Sequence, residues 1–107
     1  MADASPEIVA VTLSVPPALE ERVIDWLLAR PEIGTFTSRA VYAYGADSRA
    51  LSVAEQVAGR HRRTEVNVEM RAEAVESWLQ DLAAAFAAMP VVYCVTPVLR
   101  SGRLPGA

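Results

Sequence analysis

Lysine is absent from this sequence, and all ten basic residues are arginine. That absence excludes Schiff-base catalysis and any phosphate loop that depends on a lysine. The single cysteine, Cys94, cannot close a disulfide within the chain, so a reducing compartment is expected, with the cytoplasm as the default. No apolar run approaches the roughly 18–20 residues that cross a bilayer, and Met1 to Glu7 is acidic rather than basic, so neither a membrane span nor a signal peptide is expected. With 13 acidic residues against 10 basic ones, the surface as a whole is not built to neutralise a nucleic-acid backbone.

What is present suits one compact domain over residues 1–107, because 52% hydrophobic residues can close a single core at this length. Val9, Val11, Leu13 and Val15 alternate with Ala10, Thr12 and Ser14, the period of a strand buried on one face. Pro16-Pro17 stops it and opens a helix to about Arg30, with Glu20 and Glu21 at its positive end and an apolar stripe through Leu19, Val23, Trp26 and Leu27. Thr35 to Tyr44 reads as a second strand with Phe36, Ala40, Tyr42 and Tyr44 on one face.

Residues 45–59 break that pattern and form a long connection, in which Ser52-Val53-Ala54-Glu55 is a capping box for a short helical turn that Gly59 closes. The third strand sends Val66, Val68 and Met70 one way and Glu65, Asn67, Glu69 and Arg71 the other. A second helix from about Ala72 to Met89 carries Val75, Leu79, Leu82 and Phe86 on its apolar side. Val91 to Val95 is nearly all apolar, which predicts a strand buried on both faces or central in the sheet, with Cys94 in core packing. The tail from Val98 to Ala107 is expected to be irregular unless docked.

The order strand, helix, strand, strand, helix, strand is the split βαβ pattern, giving an α+β, ferredoxin-like βαββαβ fold: a four-stranded antiparallel sheet with two helices on one face. Its other face would present Ile8, Ala10, Thr12, Thr37, Arg39, Val41, Asn67 and Glu69, in part too apolar for simple solvation, so self-association across it is expected.

Several chemistries use this strand order, and each is tested on its residues. An acylphosphatase-like site needs a glycine-containing cradle with arginine after the first strand, where this chain has Val15-Pro16-Pro17-Ala18. An RNA-recognition module needs aromatics on the open face of the third strand, where this chain has Glu65, Asn67 and Glu69. A heavy-metal carrier needs a Cys-x-x-Cys pair, and Cys94 stands alone. His61 sits among Arg60, Arg62 and Arg63, whose charge opposes both a proton and a metal ion. Binding is therefore expected rather than catalysis. The remaining signal is arginine placement: Arg60, Arg62 and Arg63 where the long connection re-enters the sheet, and Arg100 and Arg103 past the last strand. If the tail folds back, or reaches a neighbouring subunit, such a cluster suits phosphate or carboxylate, since arginine donates in a planar fork.

The stretch Gly34-Thr35-Phe36-Thr37-Ser38-Arg39 running to Tyr44-Gly45 is similar to the strand that leads into the effector loop of PII-like signalling proteins, and Val95-Thr96-Pro97-Val98 resembles the segment that follows their last core strand. The Pro-Pro helix start, the Ser-x-x-Glu-Gln segment ending in Gly59-Arg60, and Ser101-Gly102-Arg103 resemble an uncharacterised PII-like subfamily whose genes often lie beside heavy-metal efflux pumps. The resemblance implies a homotrimer with open sheet faces inward and ligand clefts between subunits. An adenine nucleotide or another small anion is the effector it suggests, with Phe36 and Thr37 along the cleft wall, Arg62 near its phosphate end, and Arg100 and Arg103 on the C-terminal side. Ser48, Arg49, Leu51 and Val53 of the 45–59 loop would then touch a membrane transporter, an efflux pump or an enzyme. The glycine-rich turn and lysine with which PII proteins hold phosphates are replaced by Ala87-Ala88-Met89-Pro90-Val91, and no tyrosine lies in the loop, so PII-type nitrogen regulation is not expected. A divalent-cation tolerance protein of the CutA type, with the same fold and trimer, is the alternative.

Overall fold

The computed structural model describes residues 7–45, 53–54 and 59–105. Strands β1 (Ile8–Val15), β2 (Phe36–Tyr44), β3 (Arg60–Arg71) and β4 (Val92–Val98) form one antiparallel sheet in the order β2-β3-β1-β4. Helix α1 (Glu20–Leu28) follows β1, and α2 (Val75–Ala85) follows β3. The fold is α+β, of the ferredoxin-like kind read from the sequence.

Each helix starts through a single 3-10 turn, Pro17–Leu19 before α1 and Ala72–Ala74 before α2, rather than directly at the proline or alanine. Proline suits the first of these because its missing N–H falls where the helix start has no acceptor for it. α2 ends at Ala85, short of the Met89 expected, and Ala88 then takes a left-handed φ of 63° to turn the chain back toward β4. Alanine bears that conformation at a steric cost that glycine escapes.

The core lies between the sheet and the two helices. β1 supplies Val9, Val11, Leu13 and Val15, and β3 supplies Val66, Val68 and Met70 from directly paired positions. Above them pack Leu19, Val23 and Leu27 with Trp78, Leu82 and Phe86. Residues from both helices join one cluster with the same side of β1 and β3, so both helices cover one face. Trp26 meets Trp78 at 5.8 Å and Phe86 at 6.3 Å in tilted and edge-on geometry, the arrangements that ring quadrupoles favour. Arg30 closes the end of α1 against α2 through Asp81 at 2.6 Å while also holding Glu32 at 2.9 Å.

β4 and Cys94 differ from what the sequence predicts. β4 is neither central nor buried on both faces: it is the edge strand beyond β1, and Val92, Tyr93 and Val95 are exposed. Cys94 is likewise exposed, on the side of β4 away from the helices, and is not part of the core. Uninterrupted apolarity predicts a strand covered by its own chain, whereas this chain leaves β4 uncovered. Pro97 lies within β4, a place that an edge strand tolerates and an interior strand does not.

Candidate functional site

β3 is longer than β1. Val15 pairs with Thr64, so Arg60–Arg63 continue past the end of β1 and pair only with Val41–Tyr44 of β2. The result is a two-stranded ribbon projecting roughly 14 Å beyond the sheet, at about 3.4 Å per residue. Gly45 and Gly59 stand at its outer end with φ of 79° and 71°, backbone conformations that favour glycine where the chain leaves and rejoins the ladder.

Alternation sorts the ribbon residues onto two faces. Tyr42, Tyr44, Arg60 and Arg62 share one, because Tyr42 pairs with Arg62 and Tyr44 with Arg60. There the Arg60 guanidinium lies 4.0 Å from the centroid of the Tyr42 ring, and its Nη1 donates to the Tyr44 hydroxyl at 3.4 Å. Both tyrosines are exposed. His61 and Arg63 occupy the other face. Arg63 donates from Nε to Ser14 Oγ at 3.0 Å and from Nη2 to the carbonyl oxygens of Ser14 at 2.7 Å and Pro90 at 3.1 Å. Burial pushes the Arg63 guanidinium below its ordinary pKa range. Among the described residues, none of Arg60, Arg62 and Arg63 forms an ion pair with a carboxylate, since Glu65 is held by Arg39 at 2.9 Å. A positively charged, aromatic-bearing surface thus sits at the root of the 46–58 segment.

The bare side of the sheet has the membership expected: the pairings Ala10 with Glu69, Thr12 with Asn67 and Thr37 with Asn67 set these residues together. Thr12 Oγ1 donates to Asn67 Oδ1 at 3.1 Å, and a depression of about 360 Å³ is lined by Thr12, Thr37, Ser38, Arg39, Glu65 and Asn67.

The residues singled out from the sequence do not converge within one chain. Phe36 and Thr37 are neighbours on β2 and so point to opposite faces, Phe36 packing half-buried against the core and Thr37 lying on the bare side. Arg62 is exposed on the ribbon, roughly 17 Å along β3 from Asn67, the partner of Thr37. Arg100 and Arg103 follow Val98, which pairs with Ile8 at the opposite end of β1, and Ser101 lies beside Ile8, Met70 and Arg71. The tail therefore does not fold back to the ribbon of its own chain, and only the tail of a neighbour could complete the arginine cluster. Of the loop residues, Val53 is exposed, and Ser48, Arg49 and Leu51 lie outside the described residues. Tyr42 and Tyr44 were not singled out for this surface from the sequence, although the strand period that puts both on one face was a usable signal.

Among the described residues no three His, Cys, Asp or Glu side chains come together as a metal site, and no helix is long and apolar enough to cross a membrane. His61 Nδ1 and Trp78 Nε1 are buried without a hydrogen-bond partner.

The sequence profile of the family described as "Protein of unknown function (DUF3240)" matches residues 5–105. The chain belongs to the DUF3240 family. A crystal structure of a DUF3240 family protein from Shewanella baltica OS155 is similar to the present DUF3240 chain with a TM-score of 0.76, over 94% of this chain and 99% of that one. At 14% identity the likeness is one of fold. No curated protein matches the chain.

Proposed function

We propose that this DUF3240 chain is a PII-like regulatory adaptor that binds rather than catalyses. In this reading it is a homotrimer joined through the bare sheet faces. It takes a small anionic effector, adenine nucleotide being the first to test, at clefts between subunits, and it signals to a transporter or enzyme through the 45–59 loop. The observation that carries the reading is the ribbon: Arg60 and Arg62 beside two exposed tyrosines, with no carboxylate partner among the described residues, at the root of that loop. Guanidinium groups bind phosphate and carboxylate in pairs of parallel hydrogen bonds, and an exposed aromatic ring offers a face to a planar base.

The separation of Arg62 from Arg100 and Arg103 fits a cleft assembled from two chains, with Arg62 from one and the two tail arginines from the next. Phe36 would support the wall from behind by fixing β2 to the core. Effector binding changes the fit to a partner only if it favours one loop state over another.

Isothermal calorimetry against a panel of adenine nucleotides and simple di- and triphosphates tests this directly. Binding that weakens at least about tenfold in Arg62→Ala and in Arg100→Ala supports the two-chain cleft. No heat from any anion at millimolar concentration would remove the effector from the proposal and leave an adaptor that acts by protein contact alone.

A further inference from the structure

The segment after β4 carries two leucines that the chain leaves in water: Leu99 is 99% exposed and Leu104 is 90% exposed. Elsewhere on the same molecule an apolar groove of about 250 Å³ runs between α2 and the start of β4, lined among others by Leu79, Leu82, Phe86, Met89, Val91 and Tyr93 and by no charged residue. We propose that Leu99–Pro105 is an exchange arm whose leucines occupy the α2–β4 groove of a second copy of this chain.

The arm does not fill the groove of its own chain. It leaves β4 at Val98, seven residues or roughly 24 Å from Val91, and then turns the other way, with Ser101 beside Ile8, Glu32 and Arg71 at the far end of β1 and β3. Every copy thus presents one unfilled groove and one arm without an apolar partner, so arms given and received in a closed assembly match one to one.

Charge points to the same occupant. The arm contains Arg100 and Arg103 and no acidic residue, whereas α2 contains Glu76 and Asp81 and no basic residue. Glu76 lies one helical turn before Leu79, on the flank of the groove, and forms no ion pair among the described residues. Each leucine of the arm stands next to an arginine, so seating it brings a guanidinium toward Glu76, Asp81 being already held by Arg30. The edge of β4 adds the need for cover: Val92, Tyr93 and Val95 are exposed, and Val92–Val95 has none of the charged side chains with which free edges are usually guarded.

The inference shares self-association with the proposed function but does not rest on anion binding, so a failure of the calorimetry leaves it standing, and a failure of the leucine and cysteine variants below leaves the anion cleft standing. Full-length Leu99→Asp/Leu104→Asp protein is compared with wild type by sedimentation equilibrium, with circular dichroism confirming the fold. Both positions are exposed, so the fold should be kept while self-association weakens by at least about tenfold. In a Cys94→Ser background, Ala83→Cys protein is mixed with Leu99→Cys protein and oxidised, and a disulfide joining the two copies on a non-reducing gel is expected. A wild-type chain that is monomeric at 100 μM or so overturns the proposal. So does a double variant that assembles like wild type, or the absence of the mixed disulfide, and any of these rules out the arm as the occupant of the groove.

Discussion

Replacing Arg63 with alanine should unfold the protein far more readily than replacing Arg62, although the two arginines are adjacent and chemically identical. Arg63 ties the ribbon to the end of β1 and to the turn before β4 through Ser14 Oγ, the Ser14 carbonyl and the Pro90 carbonyl. A hydrogen bond from a charged donor contributes about 1.5–3 kcal/mol, but these three share one partly solvated guanidinium, so the expected loss is about 2–3 kcal/mol in total. With a urea m-value of roughly 1.5 kcal/mol/M for a domain of this size, the midpoint should fall by about 1.3–2 M at fixed protein concentration. Arg62→Ala should leave the midpoint where it was, because its side chain is exposed on the other face of the ribbon. Arg63→Lys should recover only part of the loss, since an ammonium cannot reproduce the fork that reaches Ser14 and Pro90 together. Equal midpoints for Arg62→Ala and Arg63→Ala would refute the division of the arginines into a clamp and a binding surface.

Leu13 is fully buried at the centre of β1, and Leu13→Ala should cost about 3–4 kcal/mol in urea unfolding, which a loss below about 1 kcal/mol would contradict. Ala88→Gly should stabilise the protein by about 1 kcal/mol by relieving the left-handed backbone, read as a rise in thermal midpoint of several degrees; a fall would place the strain elsewhere. Ala10→Arg sets a charge on the bare face of a central strand and should reduce assembly in light scattering while circular dichroism stays unchanged. Cys94, exposed on that side of the isolated chain, should react with a thiol reagent more slowly as protein concentration rises, and a rate independent of concentration would count against burial of the face.

The architecture was legible because β1 and β3 alternate cleanly and each helix has one apolar stripe, so the period of the sequence reports the face that the chain itself covers. β4 misled for the same reason: apolarity records that a strand is to be covered without recording by what, and a strand awaiting another copy looks like one buried at home. Cys94 followed β4 into that error. The arginines were visible as a cluster, and their alternation already separated Arg60 and Arg62 from Arg63. Their roles were not visible, because the acceptors at Ser14 and Pro90 are 49 and 27 residues away in the chain. The tail arginines depended on the direction in which the chain leaves β4, which no local pattern encodes.

The overhang of β3 past β1 makes the ribbon a cantilever. Its outer rungs touch neither helix stripe nor the apolar interior, so rearrangement at the tip need not disturb a single core contact, and sequence there can drift without threatening the fold. At its fixed end, however, the Arg63 clamp transmits any twist of the ribbon to β1 and to the turn that launches β4. A pull at the tip would therefore be felt first as a small reorientation of the edge strand.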